Sequence, residues 1–344
     1  MNLFSSTIWF AIALAVQLGT FGSALFQPNS QPLVLVPAIQ QPDNAAALEE
    51  AARLNHSAVE LFKESKFAEA LPLAKRSLEV REKILGPDHE LVQVSRLNLS
   101  EIYTVTKKYG EALKLVEQLV KTHEQKIGPE DPGLALYLGK LGFLAYVQGD
   151  FNKSELAYKR ALAIQEKAFG REGAEYANAA FALAEFYLFR GKLYKAEPLY
   201  EQAARLRRKL LGREHPDYLK TKDRYFCVAY LAGQPERVKG FTEKLGDALD
   251  PNKPIDLLNG RALLLPRPEY TEAARRQGAR GTVIIRVTVD ELGQVIAAAD
   301  MCSGDPVLIK PSIESALKAK FTPTKLSGKP VKVTGVVTYN YVIR

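Results

Sequence analysis

The sequence predicts an α-helical repeat solenoid followed by a small α+β domain of order α-β-β-α-β. Three observations point to it. Residues recur in columns 42 positions apart through residues 48–216, the mark of stacked helical units. After Pro251 the apolar spacing changes from helical to alternating. Ahead of both, no charged side chain occurs between Met1 and Pro42. At 344 residues the chain has room for two domains and flexible ends. Hydrophobic residues make up 47% and charged residues 25%, which excludes a disordered chain. The net charge is +8, of which +6 lies after Pro251. Such a surplus favours an anionic partner or serves solubility alone.

The first element is an export segment, residues 1–26. Ile8 to Leu18 is an apolar core of signal-peptide length, and Gly22-Ser23-Ala24 offers a cleavage site. No Lys or Arg precedes the core, so an uncleaved inner-membrane anchor stays open beside a cleaved signal peptide. Gln17, Gly19, Thr20, Gly22 and Ser23 make Thr7 to Phe26 a poor membrane span. Residues 27–44, with four prolines, read as an extended linker.

The solenoid follows, residues 45–250. Gly86, Gly128, Gly170 and Gly212 are each 42 residues apart. The same period links Phe67, Tyr109, Phe151 and Leu193, then Ala70, Ala112, Ser154 and Ala196, then Ser77, Leu119, Ala161 and Ala203. Small residues in the last two columns let the helices of a pair approach closely, and the aromatics wedge between neighbouring units. Each unit closes at Gly with a polar or Pro-containing turn, which ends a helix and blocks its continuation. Four units cover residues 48–216. A fifth, Asp217 to about Leu249, keeps Gly233 in register with Gly149 and Gly191 but has Pro235 where the aromatic belongs. It reads as a degenerate capping unit.

The columns Leu141-Gly142, Phe151, Ser154, Tyr158, Ala161-Leu162 and Leu183-Ala184, Tyr187, Leu193, Ala196, Tyr200, Ala203 resemble tetratricopeptide (TPR) repeats. The 42-residue period resembles the kinesin-light-chain type. That resemblance implies a curved surface whose concave face binds a peptide or partner helix. It also implies groove positions on the first helices: Phe143, Tyr146, Phe181, Phe189 and Tyr230.

The last domain takes residues 251–344. Thr271 to Gln277 reads as a short helix, and Gly281 to Asp290 as a strand. Glu291-Leu292-Gly293 reads as a turn and Gln294 to Asp300 as the returning strand. Pro306 to Lys320 has helical spacing, and Val331 to Val342 is a final strand with Val337, Tyr339 and Tyr341 on one face.

From Pro266 to Ile343 this order resembles the TonB C-terminal domain. The matching residues are Pro268-Glu269-Tyr270, Ala273 to Arg276, Gly281-Thr282-Val283, Val289-Asp290, Gly293, Lys320 to Pro323 and Gly328 to Val331. Ala319 stands where that family usually has Trp. The resemblance implies a periplasmic domain that pairs with a segment of an outer-membrane protein by strand addition. It points to the last strand as the receiving edge, with Lys332, Val333, Val337 and Tyr339 on it and Arg275, Arg276 and Arg280 beside it as an electrostatic guide. Those charges equally suit protection of an edge against aggregation.

Cys227 and Cys302 fall in different domains and read as small buried side chains rather than a disulfide framework. A bond between them requires the two domains to dock. No GxxxxGK[ST], GxSxG, HExxH or paired CxxC occurs, and His56, His89, His123 and His215 lack metal-ligand spacing. The chain therefore reads as a non-enzyme without metal or cofactor, with protein or peptide partners and no nucleic acid. Two functions stand: a periplasmic interaction scaffold, or a TonB-type transducer coupling inner-membrane proton-motive force to outer-membrane transport. The weak span and short spacer favour the scaffold.

Overall fold

The computed structural model describes residues 42–234, 236–237, 241, 260–303 and 306–342. The export segment, nearly all of the linker and most of the fifth unit's second half lie outside them. Among the described residues no helix is long and apolar enough to cross a membrane. The chain divides into two compact units between Leu183 and Ala184.

The first unit contains α1 (Pro42–Lys63), α2 (Phe67–Leu85), α3 (Glu90–Val105), α4 (Tyr109–Lys126), α5 (Leu134–Val147), α6 (Phe151–Phe169) and the start of α7 (Ala174–Phe189). Helices α1 to α6 pack in sequence order, each on the next. The small-residue columns lie at these contacts: Ala70, Ala112, Ser77, Leu119, Ser154 and Ala161 are all buried. The serine hydroxyls there are satisfied. Ser77 Oγ donates to the Ala51 carbonyl at 2.7 Å, and Ser154 Oγ to that of Gly142 at 2.7 Å.

The aromatic column divides. Phe67 meets Phe62 edge-on at 5.3 Å and Phe151 meets Tyr146 at 5.6 Å, each closing its own helix pair. Tyr109 instead reaches Phe143 of the next unit at 6.5 Å. The expected wedge between units is seen at Tyr109. Ion pairs Lys140–Glu101, Lys153–Glu117 and Arg160–Glu124 add links between helices, and Lys167 of α6 pairs with Glu130 in the turn before α5. Partly exposed pairs of this kind contribute roughly 1 kcal/mol or less each.

A further column lies in the turn inside each pair. Ser65, Lys107, Gly149, Gly191 and Gly233 all have positive φ, from 60° to 85°. Only glycine takes that conformation without a Cβ clash. Lys107→Gly is therefore expected to stabilise the protein by about 0.5 kcal/mol, the relief of strain exceeding the added freedom of the unfolded chain. A shift of the urea midpoint at constant slope measures it.

The second unit begins with the end of α7 and continues through α8 (Leu193–Leu211) and α9 (Pro216–Leu231). Then come β1 (Ala262–Leu264), α10 (Glu272–Gln277), β2 (Gly281–Val289), β3 (Val295–Ser303), a 3-10 turn (Pro306–Leu308), α11 (Ile309–Ala316), β4 (Lys320–Phe321), β5 (Lys325–Leu326), β6 (Lys329–Pro330) and β7 (Val333–Tyr341). The predicted α-β-β-α-β order is present. The four short strands are additions, too brief to show a period.

The main sheet has order β3-β2-β7, antiparallel throughout. Its inner face, Val283, Ile285, Val287, Val333, Val337 and Tyr339, packs with Ala274, Leu308 and Ala316. Gly293 at the β2–β3 turn has φ 84°, and a Cβ there would lie 1.9 Å from the Phe321 carbonyl oxygen. Its own carbonyl accepts from Phe321 N at 2.8 Å. Glycine is thus required at that close approach.

Candidate partner-binding sites

Strand β7 pairs with β2 on one side only, and no described residue pairs with its other side. Among the described residues its outer main-chain donors and acceptors have no strand partner, the requirement for strand addition. Lys332 is exposed just before it, and Arg280 is exposed beside Gly281, the register partner of Tyr341. Arg275 Nε donates to the Tyr270 carbonyl at 3.2 Å and Arg276 pairs with Glu272, so both are tied locally to α10. Val333, Val337 and Tyr339 are core side chains at 0%, 4% and 6% exposure. Any part they take in pairing is through the backbone. The side chains on the opposite face of β7 are Thr334, Val336, Thr338 and Asn340, which sequence reasoning passed over. The period-2 alternation was the signal that could have found them.

Part of that opposite face of the sheet is covered. Helix α9 packs against β3, Ile284 is 1% exposed, and Arg286 pairs with Asp223 of α9. Cys227 of α9 and Cys302 of β3 are joined by a disulfide with Cα atoms 5.4 Å apart. Both cysteines are buried as expected, but they are not independent: the last repeat helix and the sheet are docked. A bulge between the Ile284 and Ile285 partners leaves Met301 as the extra residue. It helps line a small cavity of about 30 Å³ with Lys222, Phe226, Tyr230, Arg286 and Thr334 to Val336.

Beside this contact lies a buried charge cluster. Glu185, 1% exposed at its side chain, takes Arg224 Nε at 3.2 Å and the Tyr200 hydroxyl. Burial, then the Glu185 charge, holds the Tyr200 phenol well above its usual range, so it remains a donor at physiological pH. Glu185 raises the Arg224 guanidinium in turn. Lys220 is lowered from 10.5 to about 8, chiefly by burial. A depressed lysine costs stability wherever it must be charged in the fold. Relative to Lys220→Met, wild-type stability is expected to rise by about 1–2 kcal/mol as pH climbs from 8 to 10.5, where the unfolded chain still holds the proton, the shift being discounted for solvent screening of a half-buried side chain. Lys220→Met is accordingly expected to be more stable at pH 7, as read by urea unfolding across that pH range.

The five groove candidates separate. Phe143 and Phe181, in the first unit, are buried core residues, whereas Tyr146 is half-buried. Phe189 and Tyr230, in the second, are half-buried, and Tyr230 lines the cavity against β7. Histidines act as helix caps. His89 Nδ1 accepts from Leu91 N and His215 Nδ1 from Asp217 N, both at 3.2 Å. Among the described residues no group of side chains is arranged to hold a metal.

A solenoid of paired helices followed by a three-stranded sheet with β3 and β7 at its edges defines a binding protein of two modules. Tetratricopeptide repeat models match residues 48–118, 92–167 and 179–217. The model for the Gram-negative bacterial TonB protein C-terminal matches residues 266–343. The chain thus carries matches to tetratricopeptide repeats and to a TonB C-terminal domain, modules that are generally non-catalytic. A crystal structure of Podosopora anserina putative kinesin light chain nearly identical TPR-like repeats is 21% identical, with TM-score 0.50 over 58% of this chain and 95% of that one. BtubC (BKLC) from P. vanneervenii is 17% identical, with TM-score 0.51 over 78% of this chain and 100% of that one. At these identities the likeness is one of fold. No curated protein matches the chain.

Proposed function

We propose that this protein is a periplasmic scaffold. Its repeat solenoid holds one protein, and its TonB-like domain takes an extended segment of an outer-membrane or envelope protein by strand addition to β7. The observation that carries this reading is β7 at the edge of the sheet with no strand partner beyond it among the described residues, its inner face in a packed core and Thr334 to Val336 lining a cavity with α9. A disulfide between Cys227 and Cys302 fits an oxidising compartment outside the cytoplasm. Half-buried Tyr146 in the first unit and half-buried Phe189 in the second are each retained as a groove position of its own unit.

A photo-crosslinking residue at exposed Thr338 tests the strand-addition half in cells. The expected product is an adduct with an envelope protein, lost when excess β7-pairing peptide is added. Adducts from the solenoid but none from β7 would remove the strand-addition half of the proposal. N-terminal sequencing of the cell fractions separates scaffold from transducer. A mature start near Leu25 in the soluble periplasm supports the scaffold, and an intact Met1 in the inner membrane favours the energy transducer.

A further inference from the structure

The two contacts that dock α9 on the sheet also fix its direction. Asp223 meets Arg286, whose partner on β7 is Val336. Cys227 meets Cys302, which lies opposite Ile284, whose partner on β7 is Thr338. Four residues of helix, about 6 Å of rise, therefore accompany two residues of strand, about 6.6 Å. Helix α9 advances alongside β7 in the same direction. Its row Lys222, Phe226 and Tyr230, spaced four apart, borders the cavity whose floor is Thr334 to Val336. Lys222 Nζ sits 5.7 Å from the centre of the Phe226 ring.

A segment hydrogen-bonded along the open edge of β7 would place every second side chain on the face shared by Thr334, Val336 and Thr338. Thr334 and Val336 of that face line the cavity shared with α9. We propose that α9 is the second wall of the strand-accepting cleft, selecting extended segments that present an acidic and an apolar side chain two residues apart to Lys222 and to the Phe226–Tyr230 surface. The inference rests on strand addition at β7 and names the chemistry of the partner. The charge of +6 beyond Pro251 supports the acidic preference, because it draws an anionic segment toward the cleft. The backbone ladder alone accepts any extended sequence, and side-chain contacts to α9 supply the choice. The last repeat thus belongs to the site of the domain that follows it.

The test selects displayed random peptides of roughly ten residues, enough for one strand, on the full oxidised chain and titrates the strongest binder as probe. Expected are acidic and apolar residues two positions apart, hydrogen-exchange protection along β7, and about tenfold weaker binding to Lys222→Glu. Tyr230→Ala is a second variant, also at a half-buried position, and unchanged far-UV circular dichroism of each variant shows that it folds. Peptides that protect β7 yet bind both variants as tightly as wild type would overturn the α9 wall and leave strand addition standing. Selected peptides that leave β7 unprotected would overturn strand addition and this inference together.

Discussion

Reducing the Cys227–Cys302 bond is expected to lower the unfolding free energy of the second unit by about 4 kcal/mol. The cysteines are 75 residues apart, and a closed loop of that size removes about this much conformational freedom from the unfolded chain. The double variant Cys227→Ala/Cys302→Ala should show the same loss without reductant, measured by urea unfolding. Both sulfurs are buried, so reduction of the native protein should also be slow unless the contact opens. What remains without the bond is the Arg286–Asp223 pair and the burial of Ile284 under α9. A loss below about 1 kcal/mol would mean that the unfolded chain already keeps α9 near the sheet, since the stabilisation acts through that state.

The solenoid was legible because its constraints recur. A buried column such as Ala70, Ala112, Ser154 and Ala196 repeats the same steric demand in each unit, and repetition separates it from chance. The alternation of β7 was legible too, and correctly placed Val337, Tyr339 and Tyr341 on one face. It could not say which face is core. The residues named as partner contacts therefore include Val333, Val337 and Tyr339, which the inner core buries. The docking of α9 had no local signal. Cys227 among Phe226 and Val228 looks like any small apolar position, and Arg286 in a strand looks like an ordinary solvent-facing charge. Only the fold brings each to its partner, 75 and 63 residues away. Tyr230 stands at a groove position of a first helix by its repeat column, but that helix borders the sheet, which no repeat column shows.

Arg224→Met is expected to destabilise the second unit by about 3–5 kcal/mol, because it leaves the Glu185 carboxylate buried without its cationic partner. The Tyr200 hydroxyl would remain as a donor, but a neutral donor does not offset a charge held at 1% exposure. The double variant Glu185→Leu/Arg224→Met should recover most of the loss, since an apolar pair removes the desolvation cost along with the attraction. Tyr200→Phe should cost less, about 1–2 kcal/mol for one hydrogen bond. Urea unfolding of the two single variants and their double gives the coupling energy directly. The cluster draws on α7, α8 and α9, and Asp300 of β3 also raises Arg224, so its loss should loosen the sheet from α9 as well. Hydrogen exchange on β3 in Arg224→Met separates the two effects. Faster exchange there at unchanged solenoid protection would show that the cluster sets how the sheet seats on the last repeat. Uniform acceleration would make it an ordinary buried pair of the solenoid, with the disulfide and Arg286 holding the domain in place by themselves.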